Sequence, residues 1–201
     1  MKPRKSYETA TVISDSRIVP GVYIGKILGA EDVTGTSKKG KSYEYLKISV
    51  DVTEGEYKDY YANDYRSQTG DKKWWKGSVS VFVPNDDGSE EDGRTANKFK
   101  TTMSKIEESN KGYTWNWDEK TLKNKAVGFA VRRREYEPGK FATEVSAILS
   151  VDEVRKGTYW KGYLEDRLLK GGSAPSSSES KAGADDFVDL AAGLASELPF
   201  N

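Results

Sequence analysis

Cysteine and histidine are both absent from the 201 residues of this sequence. Their absence excludes disulfide bonds, zinc sites built from cysteine and histidine, thiol nucleophiles and histidine-based acid–base pairs. The sequence also has no apolar run of about 18 residues, the length that a membrane-spanning helix requires. No apolar stretch follows the basic residues 1–5, as it would in a secretory signal. We therefore expect a cytoplasmic protein that binds no membrane.

Net charge is absent as well, because 32 basic residues balance 32 acidic ones. The two signs are distributed unevenly along the chain. Residues 171–201 contain five acidic side chains and one lysine, a net charge of −4, so the preceding residues carry +4. A basic body with an acidic tail is typical of a protein that binds polyanions, and equally of a soluble domain with a solubilising tail.

Residues 171–183 are rich in serine and glycine, and they contain too few apolar side chains to offset the entropy of ordering them. We interpret this segment as a flexible linker. The predicted organisation is an N-terminal arm at residues 1–19, one folded domain at residues 20–170, and a linker with an acidic tip at residues 171–201.

Hydrophobic periodicity predicts a mainly β domain. The clearest strand is residues 43–53, in which Leu46, Ile48, Val50 and Val52 alternate with polar side chains. Glycines within residues 22–30 predict a strand that bends. The full set of predicted strands is residues 22–30, 43–53, 56–65, 126–136 and 141–151, with a shorter β-like segment at residues 79–83.

One helix is predicted at residues 96–109, because Phe99, Met103 and Ile106 form the stripe of an amphipathic helix. The acidic residues 86–92 before it are predicted to form a surface loop. Three strands, a helix and a strand pair follow one another in an OB-fold, a small and partly open antiparallel barrel. An SH3-like barrel and a plain antiparallel α+β sheet with one helix fit the same pattern.

Aromatic residues are the strongest local signal, with 12 tyrosines, 5 tryptophans and 6 phenylalanines. Many tyrosines and tryptophans are interleaved with lysine or arginine, which combines a flat ring for stacking on a base with a cation for a phosphate. Arg132 and Arg134 share one face of a strand and fit either phosphate contacts or a solvated strand end. The residues predicted to bind DNA are Tyr43, Tyr45, Lys47, Lys38, Lys39, Lys41, Tyr57, Lys58, Tyr61, Tyr65, Arg66, Lys72, Lys73, Trp74, Trp75, Lys76, Arg132 and Arg134.

Two tryptophan pairs lead to different expectations. Trp74 and Trp75 are adjacent within a lysine-rich segment, and on a strand adjacent side chains point to opposite faces. We therefore predict that one of them is exposed for stacking and that the other packs in the core. Trp115 and Trp117, two residues apart after the helix, are predicted to pack beneath it.

Catalytic motifs are missing, including the Walker motif, the nucleophile elbow and the dinucleotide fingerprint. The densest run of carboxylates, residues 86–92, lacks the alternation of a calcium loop. We predict a protein that is not an enzyme and needs no cofactor or metal. A magnesium-dependent nuclease with Asp and Glu ligands is the alternative.

Four segments of the body resemble a family found in phages and mobile elements of Gram-positive bacteria, which includes single-stranded DNA-binding proteins. The resemblance is carried by residues 20–27, 45–52, 54–61 and 106–120, the last reading Ile106-Glu-Glu-Ser-Asn-Lys-Gly-Tyr-Thr-Trp-Asn-Trp-Asp-Glu-Lys120, and it covers roughly residues 20–157. It implies a protein that coats and protects single-stranded DNA in phage replication or recombination. For a phage-encoded protein, the location is the cytoplasm of the host cell.

The tail resembles that of bacterial and phage single-strand-binding proteins. In these an OB-fold is followed by a low-complexity linker and an acidic tip ending in Pro-Phe, which docks repair and replication enzymes. The matching residues are Asp185, Asp186, Leu198, Pro199 and Phe200. This sequence departs from the pattern at Asn201, which carries the terminal carboxylate that the phenylalanine carries in bacterial tips. The resemblance implies that the tip recruits replication or recombination proteins.

The first hypothesis from the sequence is therefore a single-stranded DNA-binding protein with an OB-like barrel and a partner-binding tail. A second is an OB-like interaction or regulatory module whose aromatic side chains bury against another protein. A third is a nuclease or a strand-annealing factor.

Overall fold

The computed structural model describes residues 17–37, 40 and 42–169 of the chain. Strands dominate it, so the prediction of a mainly β domain is confirmed. The regular elements are β1 (Gly21–Thr36), β2 (Ser42–Val52), α1 (Tyr60–Ser67), β3 (Ser78–Phe82), α2 (Glu90–Ser109), β4 (Ala126–Glu137), β5 (Lys140–Leu149) and α3 (Val151–Lys156), with short 3₁₀ helices at Glu119–Leu122 and Lys161–Leu164.

All five strands belong to one antiparallel sheet with the order β3-β2-β1-β4-β5. The register of β1 against β2 shifts between Ile27 and Gly29, and such a bulge bends a strand, as the sequence predicted for this segment. Among the described residues no ladder of hydrogen bonds joins the edge strands β3 and β5, so the sheet is not closed. The two edges nevertheless approach each other, which shows that the sheet curls.

The hydrophobic core lies on the inner face of this curled sheet. Leu46, Ile48, Val50 and Val52 of β2 are all buried, so the alternation predicted for this strand is confirmed. The inner face of the sheet is the one that carries these side chains, and the outer face is its opposite. Further core residues are Ile18, Ile27, Tyr61, Phe99, Met103, Ile106, Leu122, Val127, Phe129, Val131, Val145 and Ile148.

Helix α2 covers the core between the two edges of the sheet, since it contacts β3, β4 and β5. Its buried side chains are Thr95, Phe99, Met103 and Ile106, which include the predicted stripe. Asn110 ends the helix, as predicted, and its side-chain amide donates to the backbone oxygens of Ile106 at 2.7 Å and Ala126 at 2.8 Å.

The helix begins six residues earlier than its apolar stripe predicted. The Ser89 hydroxyl accepts a hydrogen bond from the backbone N–H of Asp92 at 3.1 Å and so caps the first turn. Three acidic residues, Glu90, Glu91 and Asp92, occupy that turn, where the helix dipole favours negative charge. The prediction of a surface loop over residues 86–92 is therefore wrong for the residues after Ser89.

The predicted third strand at residues 56–65 is also wrong, because the chain turns there and then forms α1. The buried carboxylate of Asp51, on β2, accepts the backbone N–H of Val52 at 2.9 Å, of Tyr61 at 3.0 Å and of Ala62 at 3.1 Å. Burial raises the pKa of Asp51, and these three hydrogen bonds oppose the rise. Asp51 thus accepts hydrogen bonds from backbone N–H groups in the first turn of α1, which have no partner within the helix. The residue before the helix, Asp59, makes no capping bond with its own side chain.

The N-terminal end of the described domain differs from the sequence-based expectation, because Ile18, assigned to the N-terminal arm, is buried in the core. At the other end, α3 begins at Val151 with a capping box in which Ser150 and Glu153 bond each other's backbone N–H groups. Within the described ranges, no helix is both long and apolar enough to cross a membrane.

Candidate nucleic-acid interface

Trp74 and Trp75 lie in the loop between α1 and β3, and they have different environments. The Trp74 side chain is 63% exposed. Trp75 is half-buried, and its indole N–H reaches the backbone oxygens of Gly77 at 3.0 Å and Val50 at 3.3 Å. The division into one exposed and one packed tryptophan is as predicted, but it arises in a loop and not from the alternation of a strand.

The backbone of Trp74 is held in place although its ring is exposed. Its N–H donates to the Gln68 side-chain oxygen at 3.0 Å, and its carbonyl accepts from the Gln68 amide at 3.0 Å. Gln68 also donates to Asp64 of α1 at 2.9 Å. The indole is therefore presented on a fixed support, which lowers the entropic cost of using it as a contact.

Two lysines of this loop lie over aromatic rings, one of them the Trp74 indole. Lys76 pairs with Asp64 at 2.8 Å, and its ammonium lies 5.8 Å from the centroid of the Trp74 ring. Lys73 lies 5.9 Å from the centroid of Tyr65 and donates to the backbone oxygen of Arg66 at 3.3 Å. We call the set of Tyr65, Arg66, Lys72, Lys73, Trp74 and Lys76 the tryptophan platform.

A second aromatic group lies on the outer face of β2. The rings of Tyr43 and Tyr45 are 6.0 Å apart and nearly parallel, and Tyr45 contacts Phe82 of β3 at 5.8 Å. Tyr43 is half-buried and lies against Gly35 of β1, where the missing side chain leaves room for the ring. Tyr45 is buried, which raises the pKa of its hydroxyl, with further contributions from Tyr43 and Glu31.

These two groups adjoin each other. Tyr43, Tyr45, Lys47 and Ser49 follow one another along the outer face of β2, a span of roughly 20 Å. At its far end the Ser49 hydroxyl lies 3.2 Å from that of Ser78, the first residue of β3 after the platform loop. The platform loop therefore joins the sheet at the Ser49 end of this row, and we call the tryptophan platform and the outer face of β2 and β3 together the aromatic face.

Tyr57, Tyr61 and Tyr65 lie within the strand predicted at residues 56–65, and the helix that forms instead gives them different environments. Tyr65 is exposed on the tryptophan platform, whereas Tyr61 is only 3% exposed. Tyr57 is half-buried and packs edge to face against Tyr23 at 5.7 Å. A buried ring offers no face to a base, so Tyr61 and the buried Tyr45 both leave the set of candidate contacts. Lys58 is exposed in the turn before α1.

The prediction that Trp115 and Trp117 pack beneath the helix is half correct. Trp115 is half-buried and packs edge to face on Phe99 of α2, with 6.3 Å between the ring centroids. Trp117 stacks on the same Phe99 at 5.4 Å, but it remains 67% exposed. Its backbone has a φ of 66°, which turns the chain and brings the ring to the surface.

Arg132 and Arg134 lie on the outer face of β4, and both approach Glu144 of β5. A third arginine, Arg167, approaches the same carboxylate. Neither Glu144 nor Arg167 is among the site residues predicted from the sequence. Glu144 could have been found from the sequence, because pairing of the predicted strands 126–136 and 141–151 brings it close to the arginines at residues 132–134. Arg167 could not, because its segment has no clear periodicity.

Other predicted site residues lie outside the described part of the chain. They are Lys38, Lys39 and Lys41, and near the C-terminus Asp185, Asp186, Leu198, Pro199 and Phe200. Among residues 17–37, 40 and 42–169, no three acidic side chains are grouped in a way that could hold a metal ion. No family model matches the chain, and no curated protein matches it either.

Proposed function

We propose that this protein binds single-stranded DNA without sequence preference, through the aromatic face. The observation that carries the proposal is the exposed and anchored Trp74 ring, which has the Lys76 ammonium 5.8 Å from its centroid and follows Lys72 and Lys73 in the chain. A base stacks on such a ring, and the neighbouring cations neutralise the phosphates on either side of it. The span of roughly 20 Å along β2 accommodates several nucleotides of a single strand.

The architecture supports an OB-like barrel as the finer description of the fold. The sheet has five strands, curls until its edge strands approach, and remains open between them. Helix α2 follows the third strand and packs between the edges. OB-folds are five-stranded, partly open barrels that bind oligonucleotides on the face of their second and third strands, which is where the aromatic face lies.

In this proposal the protein coats and protects single strands during phage replication or recombination, and its tail recruits other proteins of those processes. Binding involves no bond making or breaking and no cofactor. The acidic tip and the two resemblances described for the sequence support this role.

An electrophoretic shift with single-stranded and duplex oligonucleotides of one sequence tests the proposal. We expect clear preference for the single strand, because stacked and paired bases hide the ring faces that Trp74 and Tyr43 need. Affinity should fall with salt, with a log–log slope of about −0.7 for each phosphate contact. Equal affinity for the two forms would contradict the proposal. If neither oligonucleotide binds, the result would favour the protein-interaction module. Cleavage of the DNA in the presence of magnesium would favour the nuclease.

Removal of the tail should leave the fold and DNA binding intact. All the described core residues lie between Ile18 and Leu149, so truncation after Lys170 should not change the urea midpoint. At low salt, DNA binding should stay the same or tighten, because the removed segment carries a charge of −4. Partner recruitment should be lost, and Phe200→Ala should reproduce that loss without affecting DNA binding.

A pull-down from host lysate with the intact, truncated and Phe200→Ala proteins measures the recruitment. Identical partner sets from all three proteins would show that the tail is a solubilising spacer.

A further inference from the structure

Three arginines share one carboxylate on the outer face of β4 and β5. Glu144 Oε1 lies 2.9 Å from Arg132 Nε and 3.6 Å from Arg167 Nη1, and its Oε2 lies 3.8 Å from Arg134 Nε. We call these four residues the arginine cluster. Its own charges sum to +2, since one carboxylate faces three guanidinium groups.

The backbone fixes the third arginine in this position. The N–H of Arg167 donates to the oxygen of Arg133 at 2.9 Å, and the N–H of Glu135 donates to the oxygen of Arg167 at 2.8 Å. These bonds form a parallel bridge that places Arg167 beside Arg134, on the same face of the sheet. Pairing of β1 with β4 ends at Val131, so this segment occupies a strand edge that β1 leaves uncovered.

The cluster is partly removed from water, which makes its excess charge costly. The side chains of Arg132, Glu144 and Arg167 are each about one-fifth exposed. Burial lowers the pKa of Arg167; Arg132 and Arg134 lower it further, while Glu144 opposes the change. Guanidinium groups nevertheless stay protonated at neutral pH. Like charges at this spacing repel more strongly at partial burial than in water, so a second anion would stabilise the cluster.

We propose that Arg132, Arg134 and Arg167 together bind a phosphodiester group of the single strand, and that Glu144 offsets part of their mutual repulsion in the absence of DNA. Planar guanidinium groups bind phosphate oxygens with paired hydrogen bonds, which makes three of them a strong phosphate site. This inference rests on the proposed function. It extends the proposed path of the strand from β3 to β5, because these two edge strands approach each other.

The test combines two substitutions with opposite expected effects. Arg167→Gln should weaken binding of an oligo(dT) and make the log–log salt slope shallower by about 0.7, the loss of one phosphate contact. Glu144→Gln should strengthen binding several-fold at low salt, because it removes the negative charge that competes with the phosphate. Fluorescence anisotropy of a labelled oligo(dT) over a salt series measures both effects.

Arg155→Gln is the matched control. Arg155 also pairs with a single carboxylate, Glu54 at 3.3 Å, but it lies on α3 and outside the cluster. We expect its salt slope to equal that of the wild type. Urea unfolding of every variant separates a lost contact from a lost fold.

Two results would overturn the inference while leaving the proposed function in place. One is a salt slope for Arg167→Gln equal to that of Arg155→Gln, with the wild type still binding oligo(dT). The other is weaker binding by a folded Glu144→Gln protein. A wild type that binds no single strand would instead reject the proposed function itself. If inorganic phosphate stabilises the wild type but not Arg167→Gln, and the oligo(dT) slopes are equal, the site binds free phosphate and the assignment to the strand is wrong.

Discussion

Replacing Gly25 with alanine should destabilise the domain by about 3 kcal/mol or more. A Cβ atom at this position would overlap the backbone oxygen of Asp51 and lie 2.6 Å from Cε1 of Phe129. Neither neighbour can move easily. Asp51 O belongs to the backbone of β2, and the Phe129 ring is fully buried in a core packed at the density of a crystal. Gly25 sits between Val52 and Val127 in the sheet, so a shift there disturbs both flanking strands.

Gly29→Ala on the same strand is the matched control. An added Cβ at Gly29 meets no atom within 4 Å, and its backbone is not in the left-handed region. We expect its stability to stay within about 0.5 kcal/mol of the wild type, or to rise slightly through a less flexible unfolded chain. Urea unfolding followed by circular dichroism measures both variants. Equal midpoints would show that the strands have room to separate at Gly25.

The packing at Gly25 also affects the position of the tryptophan platform in the aromatic face. Its close contact is with the backbone of Asp51, whose side chain bonds the first turn of α1. Helix α1 in turn supplies Asp64, which binds both Gln68 and Lys76 beside Trp74. The absence of one side chain in β1 thus positions the carboxylate that starts the helix supporting the tryptophan platform.

Local periodicity was sufficient to predict the elements that bury a regular face. Leu46, Ile48, Val50 and Val52 are every second residue of β2, and burial of one face of a sheet requires that spacing. Phe99 and Ile106 predicted α2 in the same way. The start of α2 was missed because Ser89 and the acidic turn after it carry no apolar residue, and only the capping pattern identifies them.

Contacts between residues distant in sequence explain why residues 56–65 were wrongly predicted to form a strand. Tyr57, Tyr61 and Tyr65 are four residues apart, a spacing that suits a helix, but tyrosine is common in strands and the preceding strand favoured a hairpin. The helix is capped by Asp51, which accepts the backbone N–H of Tyr61 from ten residues earlier in the chain. Local sequence patterns do not reveal such a contact. Stability of so short a helix comes from such tertiary contacts.

The register of the β4–β5 hairpin likewise depends on a feature that local sequence patterns do not reveal, a bulge near its turn. Without a bulge, the turn at residues 137–140 would place Glu144 opposite Arg133. The register shift between Glu135 and Glu137 places it opposite Arg132 instead, on the outer face with Arg134. Arg133 then lies on the other face, where it pairs with Asp166 and contacts the Phe141 ring. A single irregularity therefore decides which arginines form the cluster.

Trp74→Ala should weaken oligo(dT) binding by about 5- to 150-fold, the effect of removing one stacked base at ~1–3 kcal/mol. Its stability should stay within about 0.5 kcal/mol of the wild type, because the ring is 63% exposed and the loop is held through the Trp74 backbone, which alanine retains. Trp75→Ala should instead destabilise the domain, since its ring contacts Tyr61 and Tyr65 and its N–H bonds the backbone.

Trp160→Ala is the control for Trp74→Ala, because Trp160 has the same exposure of 63% but lies beside the 3₁₀ helix Lys161–Leu164, outside the loop that forms the platform. Its loss should leave binding unchanged. Anisotropy gives the affinities, and quenching of tryptophan emission by unlabelled oligo(dT) should be reduced in Trp74→Ala and retained in Trp160→Ala. Trp74→Phe should keep much of the affinity, since a smaller ring still stacks. If both alanine variants bind like the wild type, Trp74 is an ordinary exposed side chain. If both weaken binding equally, the strand is bound by general charge and exposed rings, and the aromatic face has no special role.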